Sequence, residues 1–182
     1  FYHVATPILT SSVFREAELG NDTGRDLLGG QVNVYLDGEF TGRTDIPTIA
    51  RGRTITLGFG VDGQLRARRV LADRDEAVQG GNRLLEITGG VVLENYRTDP
   101  VVVRVRERTP FTEDSASLRL SLGEMTQPLS DDPDYRRFEK PKGILLWEVE
   151  VGPGAGDDAT HLRYSYSLEF DKNLALQETG TE

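Results

Sequence analysis

From Leu162 to Phe170 apolar and polar residues alternate without a break. Leu162, Tyr164, Tyr166, Leu168 and Phe170 fall on one side, Arg163, Ser165, Ser167 and Glu169 on the other. A period of two is the mark of a half-buried strand, and no helical period fits the stretch. Val32, Val34 and Leu36 repeat the pattern, and Asp37-Gly38 then predicts a hairpin turn into Glu39–Thr44. Thr54–Val61 and Gln64–Leu71 flank Asp62-Gly63, a second predicted hairpin. Leu84–Asn95 and Val101–Thr109 flank Tyr96–Pro100, a third. Ser117–Leu122 alternates leucines with Arg119 and Ser121. Gly143–Val151 holds the dense run Ile144, Leu145, Leu146 and Trp147, which predicts a central strand buried on both faces.

Helix signals are confined to Leu71–Val78, stopped by Gly80-Gly81. The charged, glycine-ended stretch Asp73–Asn82 is the predicted boundary between two β units. The expected fold is therefore all-β: an antiparallel β-sandwich of two stacked β units, residues 1–75 and an immunoglobulin-like unit at 82–172. Residues 124–142 read as a long polar loop with three prolines, and 173–182 as a flexible tail.

Composition narrows the chemistry. The 182 residues carry a net charge of −9, with 10 Arg against 12 acids in residues 1–91 and 11 Lys plus Arg against 18 acids in the rest. An acidic surface repels phosphate backbones and anionic lipid, so neither nucleic acid nor direct membrane insertion is expected of its partners. No cysteine is present, which excludes disulfides, thiolate metal sites and cysteine nucleophiles. No apolar run reaches the roughly 20 residues of a membrane helix. The chain starts at Phe1 without a methionine and reads as a fragment whose leader, if it had one, is cut off.

Several motifs have two readings. Gly58-Phe59-Gly60-Val61-Asp62-Gly63 matches a dinucleotide fingerprint, but that motif needs a following helix in a βαβ unit, and here a strand follows. Asp131, Asp132 and Asp134 in one loop, with Asp157 and Asp158 in another, are the metal candidates. Calcium takes six to eight oxygens from such loops; the alternative is plain solvation. No other cofactor is expected. Arg104, Arg106 and Arg108 line one face of a strand opposite Val103 and Val105, where they would meet an anion or a carboxylate-bearing partner, or pair with cross-strand acids such as Glu86 and Glu94. His3 and His161 lie near strand ends, and no serine has a nucleophile-elbow context. Trp147 is expected in the core. Asn21-Asp22-Thr23 fits a glycosylation sequon.

The string from Leu28 through Gly29-Gly30-Gln31-Val32-Asn33-Val34-Tyr35-Leu36-Asp37-Gly38 to Arg43 resembles the opening of the carboxy-terminal domain of mucoidy-inhibitor-A-like proteins. Leu57–Asp62, Asn95, Thr109-Pro110 and Gly143–Trp147 resemble later blocks of that domain, so the likeness runs from about Tyr2 to Leu176. Where relatives often carry Pro-Gly, this chain has Gly29-Gly30. The resemblance implies a bacterial domain of unknown function that follows a β segment and a coiled-coil region in a longer chain. It implies no catalytic residues, and it favours the cell envelope or periplasm over the cytoplasm.

The expected function is a non-catalytic protein-interaction or structural module, binding a protein partner or a second copy through its loops, 124–142 first, or through a strand edge. The alternative is a carbohydrate-active or metal-assisted enzyme using the loop carboxylates.

Overall fold

A computed structural model of the chain describes residues 1–111 and 118–171. It contains ten strands: β1 (Tyr2–Ala5), β2 (Ser12–Gly20), β3 (Gly30–Leu36), β4 (Glu39–Ile46), β5 (Thr54–Gln79), β6 (Asn82–Asn95), β7 (Val101–Arg108), β8 (Leu118–Met125), β9 (Ile144–Val151) and β10 (Thr160–Asp171). Eight form one sheet in the order β8-β10-β6-β5-β2-β1-β7-β9, while β3 and β4 make a separate hairpin. All pairings are antiparallel except β1 with β7, which run parallel. The fold is an all-β sandwich, and its sheet is mixed rather than purely antiparallel.

One sheet becomes two layers because β5 changes partner along its length. Its first half pairs with β2, up to Ser12 opposite Arg66; its second half pairs with β6, from Leu65 to Gln79. The sheet turns over there, and strands from its opposite ends meet face to face. Trp147 of β9 packs on Tyr164 of β10 with ring centroids 5.4 Å apart. The core between the layers holds Ala5, Val13, Ala67, Val91, Leu93, Val103, Val105, Val149, Leu162 and Leu168. Strands from both sides of residue 80 share this sheet, with β1 seated between β2 and β7.

Several predicted elements take this form. All five apolar residues of the Leu162–Phe170 alternation are buried. The Asp37-Gly38 turn joins β3 to β4 with φ of 52° and 85°, as a two-residue hairpin requires. Other expectations are corrected. Asp62-Gly63 is no hairpin turn: it lies inside β5, where register shifts against β2 leave extra residues on β5 and Gly60 takes a φ of +82°. Leu71–Val78 is strand rather than helix, because its ladder to β6 satisfies the backbone and overrides local propensity. The 84–95 and 101–109 segments are not a hairpin; β6 pairs with β5 and β10 in one layer, β7 with β1 and β9 in the other. Ser117 and the tail 173–182 lie outside the described residues.

Strand β9 ends the sheet instead of lying centrally, yet Leu145, Leu146 and Trp147 are all buried. The cover over Leu146 is residues 126–142. Thr126 is held to β10 (its N–H to Arg163 O, 3.0 Å) and Ser130 to β9 (its N–H to Leu146 O, 2.8 Å). A helical turn at Tyr135–Glu139 then buries Tyr135, whose hydroxyl donates to Ile144 O (3.1 Å) and accepts from Leu146 N–H (3.3 Å). The predicted loop is a strap across an otherwise open strand edge.

Candidate functional site

Along the inner face of the β1–β2–β7–β9 layer, apolar residues occupy the middle and charged residues the ends. Strand register places His3 beside Arg15 and Val103, Ala5 beside Val13 and Val105, and Glu107 beside Leu145. Each end therefore carries one buried carboxylate: Asp62, 1% exposed, and Glu107, also 1% exposed. The two ends handle their charge differently.

Asp62 is fully partnered. The bulged part of β5 turns it inward, where Oδ2 receives Arg97 Nη1 at 2.7 Å, His3 Nε2 at 3.1 Å and Arg15 Nε at 3.3 Å. Gln64 N–H donates to Oδ1 at 3.1 Å. Burial pushes the Asp62 carboxyl up, but the Gln64 amide and the two guanidinium groups outweigh it and hold it below the usual range. Burial pushes His3 down by more than Asp62 raises it, so the ring is neutral and donates its Nε2 proton to the carboxylate. Phe1 packs edge-on against His3 (6.1 Å) and Phe59 (5.6 Å). Asn95 sets the reach of Arg97. Its amide donates to Asp99 O (2.9 Å) and Val151 O (3.0 Å), and its oxygen accepts from Arg97 N–H (2.9 Å).

Glu107 is under-partnered. Arg69 Nε lies 3.3 Å from Oε2, and the Tyr164 hydroxyl and the Arg108 amide also lie toward the carboxylate, but none of these contacts has good hydrogen-bond geometry, and the buried indole N–H of Trp147 is without a partner. Burial raises the Glu107 carboxyl above its usual value despite the opposing charge of Arg69. Tyr164, facing Glu107, is pushed up to about 12, first by burial and then by that carboxylate. Its ring fits because β6 carries Gly89 opposite it. A Cβ there would meet Tyr164 Cζ at 3.0 Å, and one on Gly90 would meet Leu162 O at 2.8 Å.

Beside Arg69 the molecule opens. Pro7, Ile8, Leu9, Thr10 and Ser11 of the β1–β2 connection, with Ala67, Arg68 and Arg69 of β5, line a shallow cavity of about 320 Å³. The cavity marks the place where β2 leaves β5. The last bond across that edge is Ala67 N–H to Ser11 O, 3.0 Å. Beyond it, among the described residues, β5 is paired on its β6 side alone, and every residue from Leu71 to Val78 is exposed.

The residues singled out from sequence lie elsewhere. Asp131 pairs with Arg136, and Asp132 Oδ1 accepts from Tyr135 N–H at 2.7 Å, so both fasten the strap. Asp134 is exposed at the start of the same turn; Asp157 and Asp158 sit in a separate turn after β9. Among the described residues no group of three or more His, Asp or Glu side chains is placed to hold a metal ion. Arg104, Arg106 and Arg108 lie on the outer face of β7, opposite buried Val103 and Val105. Their acids are not Glu86 and Glu94, which lie on β6 in the other layer. Arg104 reaches Glu148 (3.0 Å) and stacks over Tyr2 (4.1 Å), and Arg106 reaches Glu139 (3.5 Å). His161 is exposed, Trp147 is in the core, and Asn21 is 2% exposed with its amide bonded to Arg25 O and Ile49 O, which closes the sequon to a glycan. Sequence reasoning missed Asp62 and Glu107. Glu107 had a signal, since it continues the Val103, Val105 face; Asp62 had none, because its inward turn depends on a bulge.

No family model matches the chain, and no solved structure matches it. Among curated proteins it is similar to Protein F37C4.5 of Caenorhabditis elegans, with 26% identity over 160 residues. The match takes in 84% of this chain and 28% of the nematode protein, so the chain spans somewhat more than a quarter of that relative's length.

Proposed function

We propose that this chain is a non-catalytic binding module of a longer protein, and that it presents the open edge of β5 to an extended protein segment. The observation that carries the reading is the run Arg68–Val78, a strand paired with β6 along one side and, among the described residues, without a strand partner along the other, where a cavity adjoins it. Such an edge recognises a strand through main-chain hydrogen bonds, with nearby pockets choosing side chains. The cavity at Pro7–Ser11 adjoins the start of that edge. The greater length of the nematode relative, and the resemblance to domains that end longer chains, both support a module.

Glu107 is a carboxylate that burial raises, but its side chain is 0% exposed, so it has no route to a substrate and instead steadies Arg69. The strap at 126–142 is engaged in covering β9 through Ser130 and Tyr135. Replacement of Glu76 by proline tests the reading. A proline there removes one outward N–H at a position where edge strands accept it. The longer protein carrying Glu76→Pro is expected to lose the partners captured by the wild type; capture of the same partners in the same yield would overturn the reading.

A further inference from the structure

The open β5 edge has a self-complementary pattern, and from it we infer that its occupant is the β5 edge of a second copy of this chain, joined antiparallel about a two-fold axis between Ala72 and Asp73. The inference rests on the binding-module reading above and names its partner. Register within the chain supplies the geometry. Ala67, Arg69 and Leu71 lie opposite Leu93, Val91 and Gly89 of β6; Ala72 is the extra residue of a bulge; Arg74, Glu76 and Val78 then lie opposite Ile87, Leu85 and Arg83. All six β5 residues thus share the face of the layer that lines the core. Because Ala67 turns its N–H outward to Ser11, the same phase turns the backbone groups of Arg69, Leu71, Arg74, Glu76 and Val78 outward as well.

A two-fold axis normal to the sheet brings like faces together. In a regular strand that requires opposed residue numbers with an even sum; the bulge at Ala72 makes the sum odd. The register so defined places Arg69 opposite Glu76, Leu71 opposite Arg74 and Val70 opposite Asp75, each pairing occurring twice, and carries Val78 beyond the ladder to Ala67, whose N–H stays with Ser11. Arg68 then sits diagonally from Asp75, within reach of a long side chain. Val78, 68% exposed, falls against the cavity whose walls include Pro7, Ile8 and Leu9. Charge permits the approach. The chain carries −9, but residues 66–79 hold four arginines and three acids, a local balance of +1. The seam itself therefore adds little to the repulsion between two acidic chains. The seam is short against the ~1,000 Å² of a stable interface, so its association is weak for the separated chain and strengthened wherever the longer protein holds two copies close.

The chain's lack of cysteine provides a clean test. Ala72→Cys brings two thiols together across the axis, whereas Asp22→Cys places one on the exposed loop after β2, beside the start of β5 and eighteen strand residues from Ala72. Mild oxidation is expected to give a covalent dimer of Ala72→Cys and only background dimer of Asp22→Cys. In sedimentation equilibrium up to millimolar concentration the unsubstituted chain is expected to self-associate, and Val78→Lys to weaken that association about tenfold, the loss of one anchor in a pocket. All three positions are exposed, and unchanged thermal midpoints confirm that the variants fold. A chain that stays monomeric, or cross-linking of Ala72→Cys no better than of Asp22→Cys, overturns the second copy as occupant. The capture experiment with Glu76→Pro would still decide whether the edge binds a different strand. Association left intact by Val78→Lys would overturn the register.

Discussion

Replacing Glu107 with glutamine should stabilise the protein, and should do so more as pH rises. The carboxylate is closed to solvent, and its contacts with Arg69, the Tyr164 hydroxyl and the Arg108 amide fall short of well-formed hydrogen bonds. Glutamine keeps the shape, removes the charge and brings an N–H₂ donor into reach of the same surroundings. Arg69 loses an attraction, but its side chain is 39% exposed and water can take over much of that role. The sign follows from linkage. Burial raises the native carboxyl above the usual 4.5, so below that value both native and unfolded states are protonated and the charge costs nothing. As pH rises past 4.5 the unfolded chain releases its proton first, and wild-type stability falls until the native group ionises too. An unsatisfied buried acceptor costs roughly 1–3 kcal/mol, and a charged one lies toward the upper end. After the discount for Arg69, Glu107→Gln should gain about 1–2 kcal/mol above neutrality, or about 2–8 °C in Tm for a chain of this length. Urea unfolding of both proteins at about pH 4 and about pH 8 measures it, with a gap near zero at the first and open at the second. A variant weaker than wild type at the higher pH would show that Arg69 outweighs burial, and a gap of equal size at both would show that ionisation of Glu107 is not its source.

Asp62→Asn should cost about 1–3 kcal/mol at neutral pH, the loss from a buried pair reduced because Arg15 and Arg97 are partly exposed. Since the native Asp62 carboxyl is held below 3.8, that advantage should vanish as pH falls through its native value, which acid titration of both proteins will follow. His3, depressed below 6.5 by burial, stabilises the fold above 6.5 and withdraws that stability as pH falls, so His3→Gln should flatten the wild-type decline on the acid side of neutrality in the same titration. Asn95→Ala removes three hydrogen bonds that hold the 96–100 crossing and should cost about 2–4 kcal/mol in urea unfolding. Gly90→Ala drives a Cβ to 2.8 Å from the Leu162 carbonyl and should cost about 1–3 kcal/mol, whereas Gly42→Ala, with nothing within 4 Å, should change little; equal effects would contradict the packing between β6 and β10.

The readable parts of this fold were those in which one strand decides its own burial. Leu162–Phe170 alternates because β10 lies between β6 and β8 with one face on the core, and the sequence carries that geometry by itself. The Asp37-Gly38 turn was equally local. Pairings that depend on distant segments left no such trace. Residues 71–78, rich in Asp, Arg, Glu and Ala, have the composition of a helix, and the ladder to β6 that makes them strand lies on the far side of a turn. Nothing near Asp62 signals that β5 continues through it, because the two bulges that turn it inward are defined by β2. The same holds for the buried run in β9: Leu146 is apolar because of the strap, and Tyr135, which covers it, looks in sequence like one more residue of a polar loop. The arginines of β7 were rightly placed opposite the valines, but their acidic partners come from β9 and the strap because β7 crosses to the other layer.

Sheet edges unite these observations. An unpaired strand edge invites indiscriminate pairing, and proteins answer by covering it, charging it or bulging it. This chain uses all three devices, but not in the same place. The edge of β9 is covered: the strap lays Ser130 on Leu146 O and Tyr135 over the backbone beside it. The β5 edge is left uncovered and instead carries a bulge at Ala72 and charges of both signs from Arg68 to Glu76. A cover excludes every strand, whereas a bulge and a charge pattern exclude only strands that do not match them. If the charges served merely to repel, one sign along the whole edge would do so best in a chain already at −9. The mixed signs, three arginines and three acids, lower the barrier to a strand of complementary order, and the nearest such strand is the same sequence read in the opposite direction.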